Sequence, residues 1–133
     1  MRVRILIVDD NPINLKLAAA LLEYAGYQVD LARDAEAAIK SIALNSPALV
    51  LLDLQLPKMD GWTLARKIKS DATTRHIHVV ALTAFAMKGD QQRALDAGCD
   101  GYLSKPIDAE EFPAQVAAFL KGEAGSIVVS KAD

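Results

Sequence analysis

The chain has 133 residues, 52% hydrophobic and 24% charged, with 15 basic against 17 acidic side chains and a formal net charge of −2. That length suits one domain built round a single core, and the missing basic surplus argues against nucleic acid or an anionic membrane as partner. One cysteine, Cys99, excludes an intrachain disulfide and a cysteine-built zinc site. No apolar run reaches the roughly 18–20 residues that a bilayer requires. The opening MRVRILIVDD meets carboxylates too early for a secretory leader, so a cytoplasmic location is the expectation.

Apolar, β-branched runs alternate with helical patterns five times. The predicted strands are Val3–Val8, Gln28–Ala32, Leu49–Leu52, Ile77–Leu82 and Gly101–Ser104. Val50-Leu51-Leu52 and Val79-Val80-Ala81-Leu82 are continuously apolar, as befits strands covered on both faces. Asn11 can cap the first helix and Pro12 suits its first turn; Ile13, Leu17 and Leu21, with Ala18, Leu22 and Ala25, form the expected inward stripe, and Gly26 ends it. Asp34 can cap a second helix with Ala35, Ala38, Ile39 and Ile42 inward, ended by Asn45-Ser46-Pro47. A third spans Gly61–Ser70 with Leu64, Ala65 and Ile68 inward. The fourth, about Ala84–Ala97, is interrupted by Gly89, and the fifth starts at Asp108 with Glu111 in capping-box spacing, although Pro113 argues for a later start. Strands alternating with helices imply an α/β fold with a parallel sheet and right-handed crossovers. Residues 1–122 are read as the domain and 123–133 as a short C-terminal tail.

In such a sheet, function gathers beyond the carboxyl ends of the strands. The first strand runs into Asp9-Asp10-Asn11, the third into Asp53, the fourth into Thr83-Ala84, and the fifth into Lys105-Pro106. Three carboxylates brought together repel one another, and a hard divalent cation with oxygen ligands resolves that; Mg²⁺ commonly takes one or two carboxylates. A carboxylate beside such an ion can attack a phosphoryl group, whose oxygens then need a cation and a hydroxyl donor. Asp53, Lys105 and Thr83 supply that set. Each alone has a plain structural explanation as a cap, a strand-end hydroxyl or a solvated charge; together, at four strand ends, they point to phosphoryl chemistry.

The segments ILIVDDN, LLDLQLPKMDG, VVALTA and GYLSKP, in this order and spacing, resemble the receiver domain of bacterial two-component response regulators. The stretch Thr83–Asp90 looks especially like stand-alone cell-cycle-type receivers and the receivers of hybrid kinases. The resemblance implies a doubly wound, flavodoxin-like sheet of order 2-1-3-4-5 with five helices. It implies Asp53 as phosphoacceptor; Mg²⁺ held by Asp10, Asp53 and the backbone carbonyl of Gln55, with Asp9 acting mainly through water; Lys105 on the phosphoryl oxygens before a cis bond to Pro106; Thr83 and Tyr102 as switch residues; and Pro57 and Gly61 as shapers of the loop after Asp53. The implied partners are a histidine kinase or histidine phosphotransfer protein upstream and a protein target downstream. The target would dock on the fourth helix, fifth strand and fifth helix, through Ala84, Phe85, Met87 and Tyr102, with no direct contact to nucleic acid or membrane.

Other conspicuous residues read as structural. His76 and His78 are expected at the surface, Cys99 as a small buried filler, Trp62 packed near the start of the third helix, and Gly98 and Gly101 as turn positions of unusual φ. A flavin or nucleotide binder on the same fold would need donors or a glycine-rich loop where this chain has Asp9-Asp10-Asn11-Pro12. An aspartyl-phosphate phosphatase would need a second acid two residues after Asp53, where Gln55 stands. The expectation is therefore a single-domain response regulator that assists its own phosphorylation and dephosphorylation but is not a turnover enzyme; the alternative is a receiver excised from a larger hybrid histidine kinase.

Overall fold

A computed structural model of the chain describes residues 2–54, 56, 60–83, 90–104 and 107–121. The element order is β1 (Arg4–Val8), α1 (Pro12–Tyr24), β2 (Gln28–Ala32), α2 (Ala35–Leu44), β3 (Leu49–Asp53), α3 (Gly61–Ser70), β4 (His78–Thr83), α4 (Asp90–Asp96), β5 (Gly101–Ser104) and α5 (Phe112–Leu120). All pairings are parallel, in the expected order β2-β1-β3-β4-β5.

Successive strand side chains point to opposite faces, and that alternation builds two apolar layers. Ile5, Ile7, Leu49, Leu51, Val80, Leu82 and Leu103 face α1 and α5, meeting Leu15, Leu22, Phe112, Val116 and Phe119. Leu6, Val8, Val50, Leu52, Val79 and Ala81 face α2 and α3, meeting Ala38, Ile42, Leu64, Ala65 and Ile68. Both faces of the central strands are buried, which is why their sequence is continuously apolar. Among the described residues no helix is long and apolar enough to cross a membrane.

Helix starts follow side-chain caps. Asn11 accepts from the N–H groups of Ile13 and Asn14, at 2.9 and 3.3 Å. Asp34 accepts from Ala37 N–H at 2.7 Å and Asp60 from Thr63 N–H at 2.8 Å. At α5 the Asp108 carboxylate takes the N–H groups of Glu110 and Glu111, but regular helix begins only at Phe112, with Pro113 in its first turn. Proline lacks the N–H that an interior position would need, so the helix starts where that loss costs nothing.

The inward stripe of α1 differs from the expected one. Leu15, Ala18, Ala19 and Leu22 are buried, whereas Ile13 is 75% and Leu17 46% exposed and Ala25 is also exposed. The helix PINLKLAAALLEY is apolar on two faces, and both stripes satisfy the same 3.6-residue period. Contact with Ile5, Ile7 and α5 selects between them.

Cys99 is a buried filler, as expected, and burial pushes its thiol up to about 12. His76 is exposed and His78 half-buried; Trp62 is buried. Of the two glycines expected at unusual φ, Gly98 has φ +91°. Gly101 does not; it opens β5, and a Cβ there would run into the Phe119 ring. Gly101→Ala is therefore expected to cost about 1–3 kcal/mol through overpacking, read as a lowered urea midpoint. Gly26→Ala, at φ +103° but with nothing within 4 Å, should cost about 1 kcal/mol, from backbone strain alone.

Candidate functional site

Val8 of β1 pairs with Leu52 of β3, so Asp9, the first residue after β1, and Asp53, the last residue of β3, lie at one level of the sheet. Asp10 follows on the turn into α1. Carboxylate oxygens of Asp9, Asp10 and Asp53 all lie within 4.8 Å of one another. Asp9 and Asp53 are buried and Asp10 is exposed. The turn is held by backbone groups: Asp9 N–H donates to Ala32 O at 3.1 Å, and Asn11 N–H donates to Asp9 Oδ1 at 2.9 Å. Asn11 thus orients an acidic side chain with its backbone while its own side chain caps α1.

Three carboxylate groups with one exposed member form an all-oxygen donor set open to solvent. That donor chemistry fits a hard divalent cation and suits neither a soft metal nor a tetrahedral zinc site. Among the described residues this is the group of His, Cys, Asp and Glu side chains close enough to share an ion.

The other sequence-derived residues fall as follows. Thr83 closes β4, paired with Ser104 across to β5; the description covers its backbone and not its side chain. Tyr102 lies opposite Ala81 and is fully buried in the layer under α2 and α3. Tyr102, expected both as a switch residue and on the partner surface, exposes no side chain to a partner here; its ring occupies the inward position. Lys105, Pro106, Gln55, Pro57, Ala84, Phe85, Met87 and Gly89 lie outside the described residues, as does the tail 123–133.

Gly61 was expected to shape the loop, and the structure supplies the physical reason. Its N–H donates to Leu54 O at 3.1 Å, and a Cβ at this position would stand 2.6 Å from Leu54 Cα and 2.7 Å from Asp53 O. Only a residue without a side chain lets the amino end of α3 sit on the backbone that carries Asp53. Asp60, which the sequence reading passed over, caps that same helix; the Thr63 N–H that it accepts holds its carboxyl below the usual carboxylate range, with a weaker pull from Arg93 and Arg66. The Asp60-Gly61 pair preceding a helical pattern is the signal that could have found it.

Residues 5–117 match the response regulator receiver domain family. The polar-differentiation response regulator DivK of Brucella ovis is 40% identical over 116 residues, which cover 87% of this chain and 94% of that protein. A two-component response regulator from Clostridium difficile, a crystal structure, superposes with a TM-score of 0.83 at 35% identity, over 90% of this chain and 97% of that one. The signal receiver domain of a signal transduction histidine kinase from Syntrophus aciditrophicus gives 0.81 at 31% identity, over 98% of both.

Gly61→Ala should displace the Asp53–Leu54 backbone while leaving all three carboxylates in the chain. Support residues of this kind typically change metal affinity 10- to 100-fold. The expected outcome is an Mg²⁺ dissociation constant raised about tenfold, measured by calorimetric titration; wild-type affinity would show that the close packing is not what orients Asp53.

Proposed function

The chain belongs to the response regulator receiver domain family, and from that premise we propose that it is a phosphorylation switch with Asp53 as the phosphoacceptor. The observation that carries this reading is the convergence of Asp9, Asp10 and Asp53 within 4.8 Å at the carboxyl ends of two adjacent parallel strands. A carboxylate oxygen of Asp53 attacks the phosphorus of a phosphohistidine; the P–O bond forms as the P–N bond breaks, and the imidazole nitrogen leaves with the electron pair and takes up a proton. Asp10 and Asp53, with the backbone carbonyl of Gln55, would hold Mg²⁺ directly, and Asp9 would act mainly through water. When bound, the ion supplies positive charge against the phosphoryl oxygens. Lys105 contributes a compact ammonium to the same oxygens, and Thr83 a hydroxyl donor. The product stays covalently on the protein, so this is a switch rather than a turnover enzyme.

The added charge draws Thr83 towards Asp53, and the space behind it favours Tyr102 turned inward. Residues Ala84, Phe85 and Met87, with α4, β5 and α5, form the face offered to a downstream protein target. A target that prefers the inward-Tyr state shifts the equilibrium only by its differential affinity.

The phosphodonor, a histidine kinase or histidine phosphotransfer protein, must bring its imidazole to the rim where Asp10 is exposed. Ile13 begins an exposed apolar stripe on α1 at that rim, continued by Leu17 and by Tyr24, which is 96% exposed. An apolar stripe continuous with the site favours a protein donor of matching apolar surface docked along α1.

Two experiments test this reading. Acetyl phosphate with Mg²⁺ should add a single phosphoryl group by intact mass, with no addition in EDTA or in Asp53→Asn; a labelled Asp53→Asn chain, or full labelling in EDTA, overturns it. The α1 stripe is tested by the double substitution Ile13→Ser and Leu17→Ser. Both side chains are exposed, so stability should change by about 0.5 kcal/mol or less per site. Transfer from the cognate kinase should slow at least tenfold, equivalent to about 1.4 kcal/mol, with acetyl phosphate labelling unchanged. Equal slowing of both donors would remove the stripe from the docking surface.

A further inference from the structure

The Arg93 guanidinium of α4 lies over the Trp62 ring of α3, its Cζ 4.7 Å from the ring centroid. Trp62 is buried in the α2–α3 layer, so the ring is a fixed platform, while Arg93 is exposed. Trp62 follows Gly61, whose backbone rests on Leu54 Cα and Asp53 O and donates to Leu54 O. The Asp60 carboxylate that caps α3 also lies within electrostatic reach of Arg93. A short, continuous route therefore runs from the backbone of Asp53 through the amino end of α3 to a cation on α4. The same layer holds Tyr102 in its inward position.

We propose that Arg93 is a positioning residue that couples α4 to the phosphoacceptor: its guanidinium, stacked on Trp62, holds α4 in the arrangement that accompanies inward Tyr102. This rests on the reading of Asp53 as phosphoacceptor and adds to it a second, carboxylate-independent control of the switch. Phosphoryl contacts pull at the carboxyl ends of β3 and β4; the cation–π contact fastens the following helix from its other side. An exposed cation on an indole is a weak contact, so losing it changes the balance between two arrangements by about two- to fivefold. A contact of that size tunes a switch without locking it. By linkage, whatever lowers the population of the competent arrangement weakens the apparent affinity for the phosphoryl group by the same factor.

The test uses the full chain with beryllium trifluoride, a phosphoryl analogue, in Mg²⁺. Trp62 is the only tryptophan, so its emission follows the titration. Arg93→Gln should raise the analogue midpoint about two- to fivefold and speed amide exchange across residues 90–96 by a similar factor. Arg93→Lys, which keeps the cation, should restore most of both, and the double variant Arg93→Gln with Trp62→Phe, followed by amide exchange because it has no tryptophan, should exchange across residues 90–96 little faster than Arg93→Gln alone. Faster exchange with an unmoved midpoint would make the contact purely structural and overturn the coupling, as would a lowered midpoint or a lysine variant that behaves like glutamine. If the wild type shows no Mg²⁺-dependent saturation at all, the phosphoacceptor reading fails and this inference falls with it.

Discussion

Asp9 and Asp53 are brought together by strand register and kept together against their own repulsion. Their ligand oxygens lie within 4.8 Å of each other; at that distance and an effective dielectric of about 20, two unit charges repel by roughly 3.5 kcal/mol. The strands that lead to them, β1 and β3, contribute eight aliphatic side chains between Ile5 and Leu52 that are effectively inaccessible to solvent, including Leu6, Val8, Val50 and Leu52. Each such side chain stabilises the fold by about 1.5–3 kcal/mol as an upper estimate. Packing therefore outweighs the repulsion between the two carboxylates several times over.

The two ends of the sheet are held by different means. At the amino end, Lys69 Nζ donates to Arg75 O and Ile77 O, both at 2.9 Å, and to Asp100 Oδ2 at 3.0 Å. Asp100 in turn accepts Val79 N–H at 2.8 Å. One ammonium thus ties α3, the start of β4 and the approach to β5 into a satisfied polar clasp, and Gly98 at φ +91° lets the chain pass close over the Lys69 stem. At the carboxyl end the corresponding connections carry the acidic cluster and the turn of Gly61 onto Leu54.

Much of this was legible because local chemistry and global fold agree. The spans of β2, β5 and α3 match those expected from the sequence, since each is set off by turn or breaker signals such as Gly26 ahead of β2. The acidic pair after β1 and the lone Asp53 after an apolar run are equally readable in the sequence, and the structure brings the three carboxylates together. Where two local signals competed, the sequence was ambiguous. α1 carries two apolar stripes of identical period, and α5 carries a cap-like Asp108 ahead of a proline that belongs in the first turn.

The sequence by itself determined the parallel α/β architecture, the strand order through its family resemblance, and the residue types at the strand ends. These follow from periodicity, capping and the need of buried strands to be apolar on both faces. Only tertiary structure decided which face of α1 is buried, that Tyr102 points inward, that Gly101 is required by Phe119 rather than by its own φ, and that Gly61 and Arg93 link Asp53 to α4. Each of these depends on where a neighbour distant in sequence comes to rest, and no local pattern encodes that distance.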